Sequence, residues 1–103
     1  MFDEIIKTAT LHGVKAVILF GSRAKGSEKE WSDIDICIIA DTENKRRLAS
    51  RLQTEIESEL PIDIIVYTPS EWVACIKDDS SFAKKILTEG RILYGQQEIS
   101  RLV

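Results

Sequence analysis

The chain has no run of about 18 apolar residues, the length a helix needs to span a bilayer, so a membrane-spanning reading is excluded. Met1-Phe2-Asp3-Glu4 is acidic where a secretory leader needs a basic segment and an apolar segment, so the expected location is the cytoplasm. Its two cysteines, Cys37 and Cys75, lie in apolar stretches with no CxxC or Cys/His spacing. That predicts buried free thiols and neither a disulfide nor a thiolate metal site. The single histidine, His12, precedes Gly13 at a helix-end signal, which predicts a helix-terminal surface role and gives no basis for histidine catalysis. With 14 Lys and Arg against 17 Asp and Glu, the net charge is −3. The chain has no basic excess to hold DNA or RNA broadly, so any nucleotide contact must be local. There is no internal repeat, low-complexity tract or linker, and 103 residues make one domain over 1–103.

What is there is an ordinary globular composition, 44% hydrophobic and 30% charged, in alternating helix and strand signals. Phe2, Ile5, Ile6 and Ala9 at helical spacing predict a first helix stopped by Gly13. Residues 14–20 form a β-branched and aromatic run, a first strand ending at Gly21, and residues 33–40 form a second strand. Leu48, Leu52, Ile56 and Leu60 recur every fourth position, predicting an amphipathic helix of about four turns within 43–60, ended by Pro61. Residues 62–67 read as a third strand. Thr68-Pro69-Ser70-Glu71 has the form of a capping box and opens a helix with Trp72, Val73 and Ile76 inward. Ser80 or Ser81 caps a further helix with Phe82, Ile86 and Leu87, stopped by Gly90, and residues 91–94 close with a short strand.

This order predicts an α/β domain with a mixed sheet of about four strands flanked by helices. Strands two and three, joined by a crossover helix, should pair in parallel. Asp33 and Asp35 open strand two and Asp63 opens strand three, so parallel pairing brings them to one sheet end. Gly21 closes strand one and reaches that same end only if strand one runs antiparallel to strand two.

Two motifs then meet: Phe20-Gly21-Ser22-Arg23-Ala24-Lys25-Gly26 and Ser32-Asp33-Ile34-Asp35-Ile36. Residues two apart on a strand share a face about 6.6 Å apart, so Asp33 and Asp35 lie on one side, opposite Ile34, Ile36 and Ile38. Asp63 alternates with Ile65 and Tyr67 and can share that face. An Asp-x-Asp alternation can be the solvated face of an edge strand. Aspartate is nevertheless depleted in strands, and these strands are otherwise apolar enough to be covered on both faces, which favours a specific role. Three converging carboxylates repel one another unless cations neutralise them, and magnesium with substrate phosphates suits such a site. Gly21 permits positive φ and close approach of backbone amides to a phosphate, and Ser22 adds a hydroxyl. Gly21 and Gly26 have the spacing of a Walker loop, but Ser27 stands where that motif needs lysine, which argues against P-loop chemistry. Arg23, Lys25 and Lys29 lie in the polar link and are better candidates to meet substrate phosphates than the basic residues of the crossover helix. Lys45, Arg46 and Arg47 lie some five residues, roughly 16 Å, from the aspartates and read as a solvated basic face. Trp31 interrupts the link, either packing against it or stacking on a base or partner.

The whole constellation of strand, GSRAKG, polar link, SDIDI, helix and Asp63 strand resembles the minimal nucleotidyltransferases, the MNT group of the DNA polymerase beta superfamily. The likeness runs over nearly all of the chain. It implies a polymerase-beta-like nucleotidyltransferase fold in which Gly21 and Ser22 hold nucleotide phosphates and Asp33, Asp35 and Asp63 bind Mg2+, two ions in all, and carry the catalysis. The family often has arginine where Lys25 stands; lysine keeps the charge and loses the bidentate fork. The implied reaction moves a nucleoside monophosphate, AMP from ATP, onto a hydroxyl. The resemblance also suggests an all-helical HEPN partner in a toxin–antitoxin pair, in which the MNT member is the antitoxin and modifies a tyrosine of the toxin. Two other readings stay open at this point: a non-catalytic antitoxin that neutralises by binding, and a nucleotidyltransferase for a small molecule or RNA. Exposed sheet edges also leave a homodimer open.

Overall fold

The computed structural model describes residues 2–103. In chain order the elements are α1 (Asp3–Leu11), β1 (Ala16–Phe20), α2 (Ser22–Lys25), β2 (Ile34–Ile39), α3 (Lys45–Glu55), β3 (Ile62–Tyr67), α4 (Pro69–Ile76), α5 (Phe82–Glu89), β4 (Arg91–Tyr94) and α6 (Gln96–Leu102). The sheet order is β3-β2-β1-β4. β1 is antiparallel to β2 and β4, and β2 is parallel to β3, the mixed arrangement expected from the crossover helix and the placement of Gly21.

Strand alternation divides the core between the two faces of this sheet. Val17, Leu19, Ile34, Ile36 and Ile38 pack with Ile5 and Ala9 of α1 and Leu52 of α3. Ala16, Ile18, Cys37 and Ile39 pack with Trp72 and Ile76 of α4, Ile86 of α5 and Ile99 of α6. Each large side chain buried this way contributes about 1.5–3 kcal/mol relative to exposure. β2 is thus covered on both faces, as its isoleucine content predicts. Burial pushes the Cys37 thiol up to about 12, so it behaves as a small hydrophobe.

Several expectations need correction. α3 ends at Glu55, not Leu60: Ile56 is its C-cap in an extended conformation. The period-four pattern continues past the helix because Ile56 and Leu60 still pack on the same core, reached by a non-helical segment in which Ser58 Oγ donates to the Leu60 carbonyl at 2.8 Å. β1 and β2 start later than predicted, at Ala16 and Ile34, which leaves Asp33 one residue outside its strand. Cys37 and Cys75 are both free, but Cys75 is only half-buried. Val73 is likewise half-buried, while Trp72 and Ile76 take the inward positions. Trp31 is 72% exposed, so it does not pack against its own loop. α6 was not anticipated; it follows Gly95, whose φ of 86° turns the chain out of β4 and lets Ile99 reach the core. The capping box at Thr68 and Glu71 and the Ser81 cap of α5 form as read.

Candidate active site

The ladder between β1 and β2 sets Phe20 opposite Asp35, and the parallel register of β2 and β3 sets Asp35 opposite Asp63. Adjacent strands lie about 4.8 Å apart, so these three residues form a row across one end of the sheet. Alternation puts the row on the face covered by α4, α5 and α6. Asp33 stands two residues before Asp35. The Asp35 carboxyl is pushed above the usual carboxylate range, first by burial and then by repulsion from Asp63 and Asp33. The structure therefore gathers like charges about Asp35. Asp63 itself is exposed, on the outer strand β3.

Gly21 joins β1 to α2 and meets two demands that only glycine satisfies together. Its backbone sits at φ 76°, ψ −157°, and a Cβ there would collide with Asp35 Oδ2. The turn that follows is tight: the Ala24 amide donates to the Gly21 carbonyl at 3.1 Å, and Gly26, left-handed at φ 75°, closes α2. Arg23 Nε and Nη2 both donate to the Ser32 carbonyl, at 3.1 and 2.9 Å. The guanidinium thus fastens the end of the link directly before Asp33. The link is also tied locally, with the Lys29 amide donating to Ser32 Oγ at 2.8 Å.

Lys25 reaches from α2 to α5, where its Nζ lies 2.6 Å from Glu89 Oε1. That hydrogen bond holds the Glu89 carboxyl below the usual range. Glu89 belongs to a group that the motifs did not single out, together with Phe82 and Lys85 of the same helix. The rings of Phe20 and Phe82 meet edge-to-face, centroids 5.5 Å apart at 87°. The available signal was the helical spacing of Phe82, Lys85, Ile86 and Glu89, which places all four on one side of α5.

The basic residues at the start of α3 lie at the opposite sheet end, as their distance predicts. There Lys45 Nζ contacts Glu71 Oε2 at 2.7 Å, joining the starts of α3 and α4. His12 is the C-cap of α1 and its Nε2 lies 3.0 Å from Glu55 Oε1, a helix-terminal role.

Among the described residues, no three His, Cys, Asp or Glu side chains close about one point as a ready-made ion cage. Magnesium sites commonly use one or two carboxylates and complete the shell with substrate phosphates and water. A partly buried Asp35 flanked by Asp33 and Asp63, beside a glycine turn, fits that pattern.

The family model described as polymerase beta, nucleotidyltransferase, matches residues 3–99. The chain belongs to this family. Among curated relatives of this nucleotidyltransferase, a candidate protein adenylyltransferase of Methanocaldococcus jannaschii is 34% identical over 93 residues, covering 90% of this chain and 91% of that protein. A chain in the crystal structure of a toxin-antitoxin with AMP-PNP superposes with a TM-score of 0.64 at 23% identity, covering 97% of this chain and 80% of that one. A chain of the tri-AMPylated Shewanella oneidensis HEPN toxin in complex with MNT antitoxin superposes with a TM-score of 0.53 at 22% identity, covering 96% and 76%. These two likenesses establish the polymerase-beta-like nucleotidyltransferase fold. No helix among the described residues is long and apolar enough to cross a membrane.

Proposed function

We propose that this nucleotidyltransferase, working as one minimal domain, transfers AMP from ATP to a tyrosine hydroxyl of a HEPN toxin and serves as that toxin's antitoxin. The observation that carries the reading is the row Phe20, Asp35, Asp63 with Gly21 packed against Asp35. It puts a phosphate-sized turn and the carboxylates side by side. The adenylyltransferase name of the archaeal relative supports the donor, and the AMPylated toxin complex supports the acceptor.

In this reading Gly21 and Ser22 hold the triphosphate, with Lys25 and Arg23 supplying positive charge, and Asp33, Asp35 and Asp63 hold two Mg2+ ions. When bound, the ions supply charge that offsets the phosphates and the departing pyrophosphate. The acceptor oxygen bonds to the α-phosphorus, the bond from that phosphorus to pyrophosphate breaks, and the hydroxyl proton passes to an Asp63 carboxylate oxygen. Exposure of Asp63 on an outer strand leaves it open to a hydroxyl presented by a second chain. Positioning and charge neutralisation account for most of the rate. The free thiols at Cys37 and Cys75 agree with a cytoplasmic setting.

The test is co-expression with the product of the neighbouring gene and mass analysis of that partner. An AMP-sized increment is expected, and it should vanish with Asp35→Asn. A tight complex that gains no increment under turnover conditions would instead mean neutralisation by binding. Modification of a small molecule or RNA without a protein complex would transfer the same chemistry to another acceptor.

A further inference from the structure

Between the Gly21 turn and α5 lies a cleft of about 160 Å³. It is smaller than the ~300–1,000 Å³ pockets that enclose whole ligands, so it is sized for one end of a ligand. Its walls are Phe20, Phe82 and Ile86, and Gly21, the first residue of the turn, lines it too. The cleft is therefore continuous with the site already described. Phe20 is the cross-strand partner of Asp35, which puts an apolar wall one strand spacing from that carboxylate.

Phe82 is 49% exposed, although it is the largest residue of α5 and has an aromatic partner in Phe20. An open aromatic ring at a cleft mouth offers a stacking surface to any planar heterocycle, whatever its hydrogen-bonding edge. The rim is polar with both signs: Lys85 can donate, and Glu89, already bonded to Lys25 through Oε1, is a carboxylate able to accept more than one hydrogen bond. Purine edges present both donors and acceptors.

We propose that this cleft seats the nucleobase of the bound nucleoside triphosphate, with Phe82 as its stacking platform. The assignment rests on the nucleotidyl-transfer reading. It makes α5 the element that tells a nucleotide from a bare polyphosphate.

The experiment compares binding of magnesium-ATP with that of magnesium-tripolyphosphate, which has the phosphates and no base, by titration calorimetry on the unchanged chain, Phe82→Leu and Phe82→Trp. Leucine keeps apolar bulk against Phe20 and removes the stacking face; tryptophan keeps a face. Phe82→Leu is expected to weaken ATP about tenfold while tripolyphosphate affinity stays within twofold, and Phe82→Trp is expected to restore ATP binding. Equal ATP preference in Phe82→Leu and the unchanged chain would overturn the proposal. A parallel loss of both ligands in both variants would also overturn it, because Phe82 would then act only in holding the fold. If the unchanged chain binds neither ligand, the nucleotidyl-transfer reading itself fails, a result distinguishable from the other two.

Discussion

The two ends of the sheet hold similar side chains and treat them in opposite ways. At the end where α3 and α4 begin, Glu71 is hydrogen-bonded by Lys45 and by the Thr68 amide, and its carboxyl is held below the usual range, first by the Lys45 bond. At the end where β1 finishes, Asp35 has Asp63 and Asp33 as its charged neighbours and its carboxyl is driven upward. At one end Glu71 is matched by an opposite charge and completes a helix cap; at the other, where Lys25 and Glu89 are matched, Asp35 beside the glycine turn is left facing like charges. Where local electrostatics are satisfied, stability explains the residues present. Where they are left in conflict, a ligand that relieves the conflict is the better explanation.

The comparison breaks most sharply at Asp35. Asp35→Asn is expected to lower AMP transfer by roughly two to three orders of magnitude while leaving the fold intact, since it removes charge repulsion and keeps the shape. Labelling of the acceptor undiminished by this change would remove the site from the mechanism. Gly21→Ala comes next. The positive φ and the displaced Asp35 side chain should together cost about 1–3 kcal/mol in chemical denaturation and depress transfer as well. At the other end, Thr68→Ala removes the capping hydroxyl and is expected to cost about 1 kcal/mol of stability with transfer rate unchanged. A rate loss there comparable to that of Asp35→Asn would erase the distinction between the ends.

The smallest effect is in pH dependence, and its sign differs between the ends. A raised Asp35 pKa means the folded state binds the proton more tightly than the unfolded chain, so its contribution is fully present at low pH and is lost as pH rises through the raised value. Glu71, lowered, contributes above its ordinary value and loses that contribution as pH falls. Amide exchange followed from neutral toward acid pH should therefore show relative protection of β2 near Asp35 and relative loosening at the start of α4. The same trend at both ends would contradict the assigned causes.

Much of this site was legible in the sequence because strand period and chain direction are strong constraints. The crossover helix alone brings Asp33, Asp35 and Asp63 to one sheet end, and Gly21 joins them once strand one is set antiparallel to strand two. What escaped depends on contacts between elements far apart in sequence. The Lys25–Glu89 pair and the Phe20–Phe82 ring contact join the Gly-Ser turn to α5 across more than 60 positions, and no local pattern reports them. The length of α3 was misread for a different reason: burial of Ile56 and Leu60 prolongs an apolar period that the backbone no longer follows. For Trp31 the sequence left packing on the link and stacking on a base or partner both open; the short ties between Lys29 and Ser32 hold the loop without it, and its ring is exposed. Arg23 was legible as a cation near the site, but its bonds to the Ser32 carbonyl were not.

The register of β1 against β2 has a consequence for how this chain tolerates changes in length. Residues 27–31 join Gly26 to the Arg23–Ser32 clasp as exposed loop, and adding a residue there changes loop-closure entropy by only a few tenths of a kcal/mol. A residue added within β2 after Asp35 would turn each of Cys37 and Ile38 to the face it does not now occupy, and one added in β1 would carry Phe20 away from Asp35. Insertions and deletions should accumulate in the link and be excluded from the two strands beside it, so the spacing between the GSRAKG and SDIDI motifs is the part of this site free to drift.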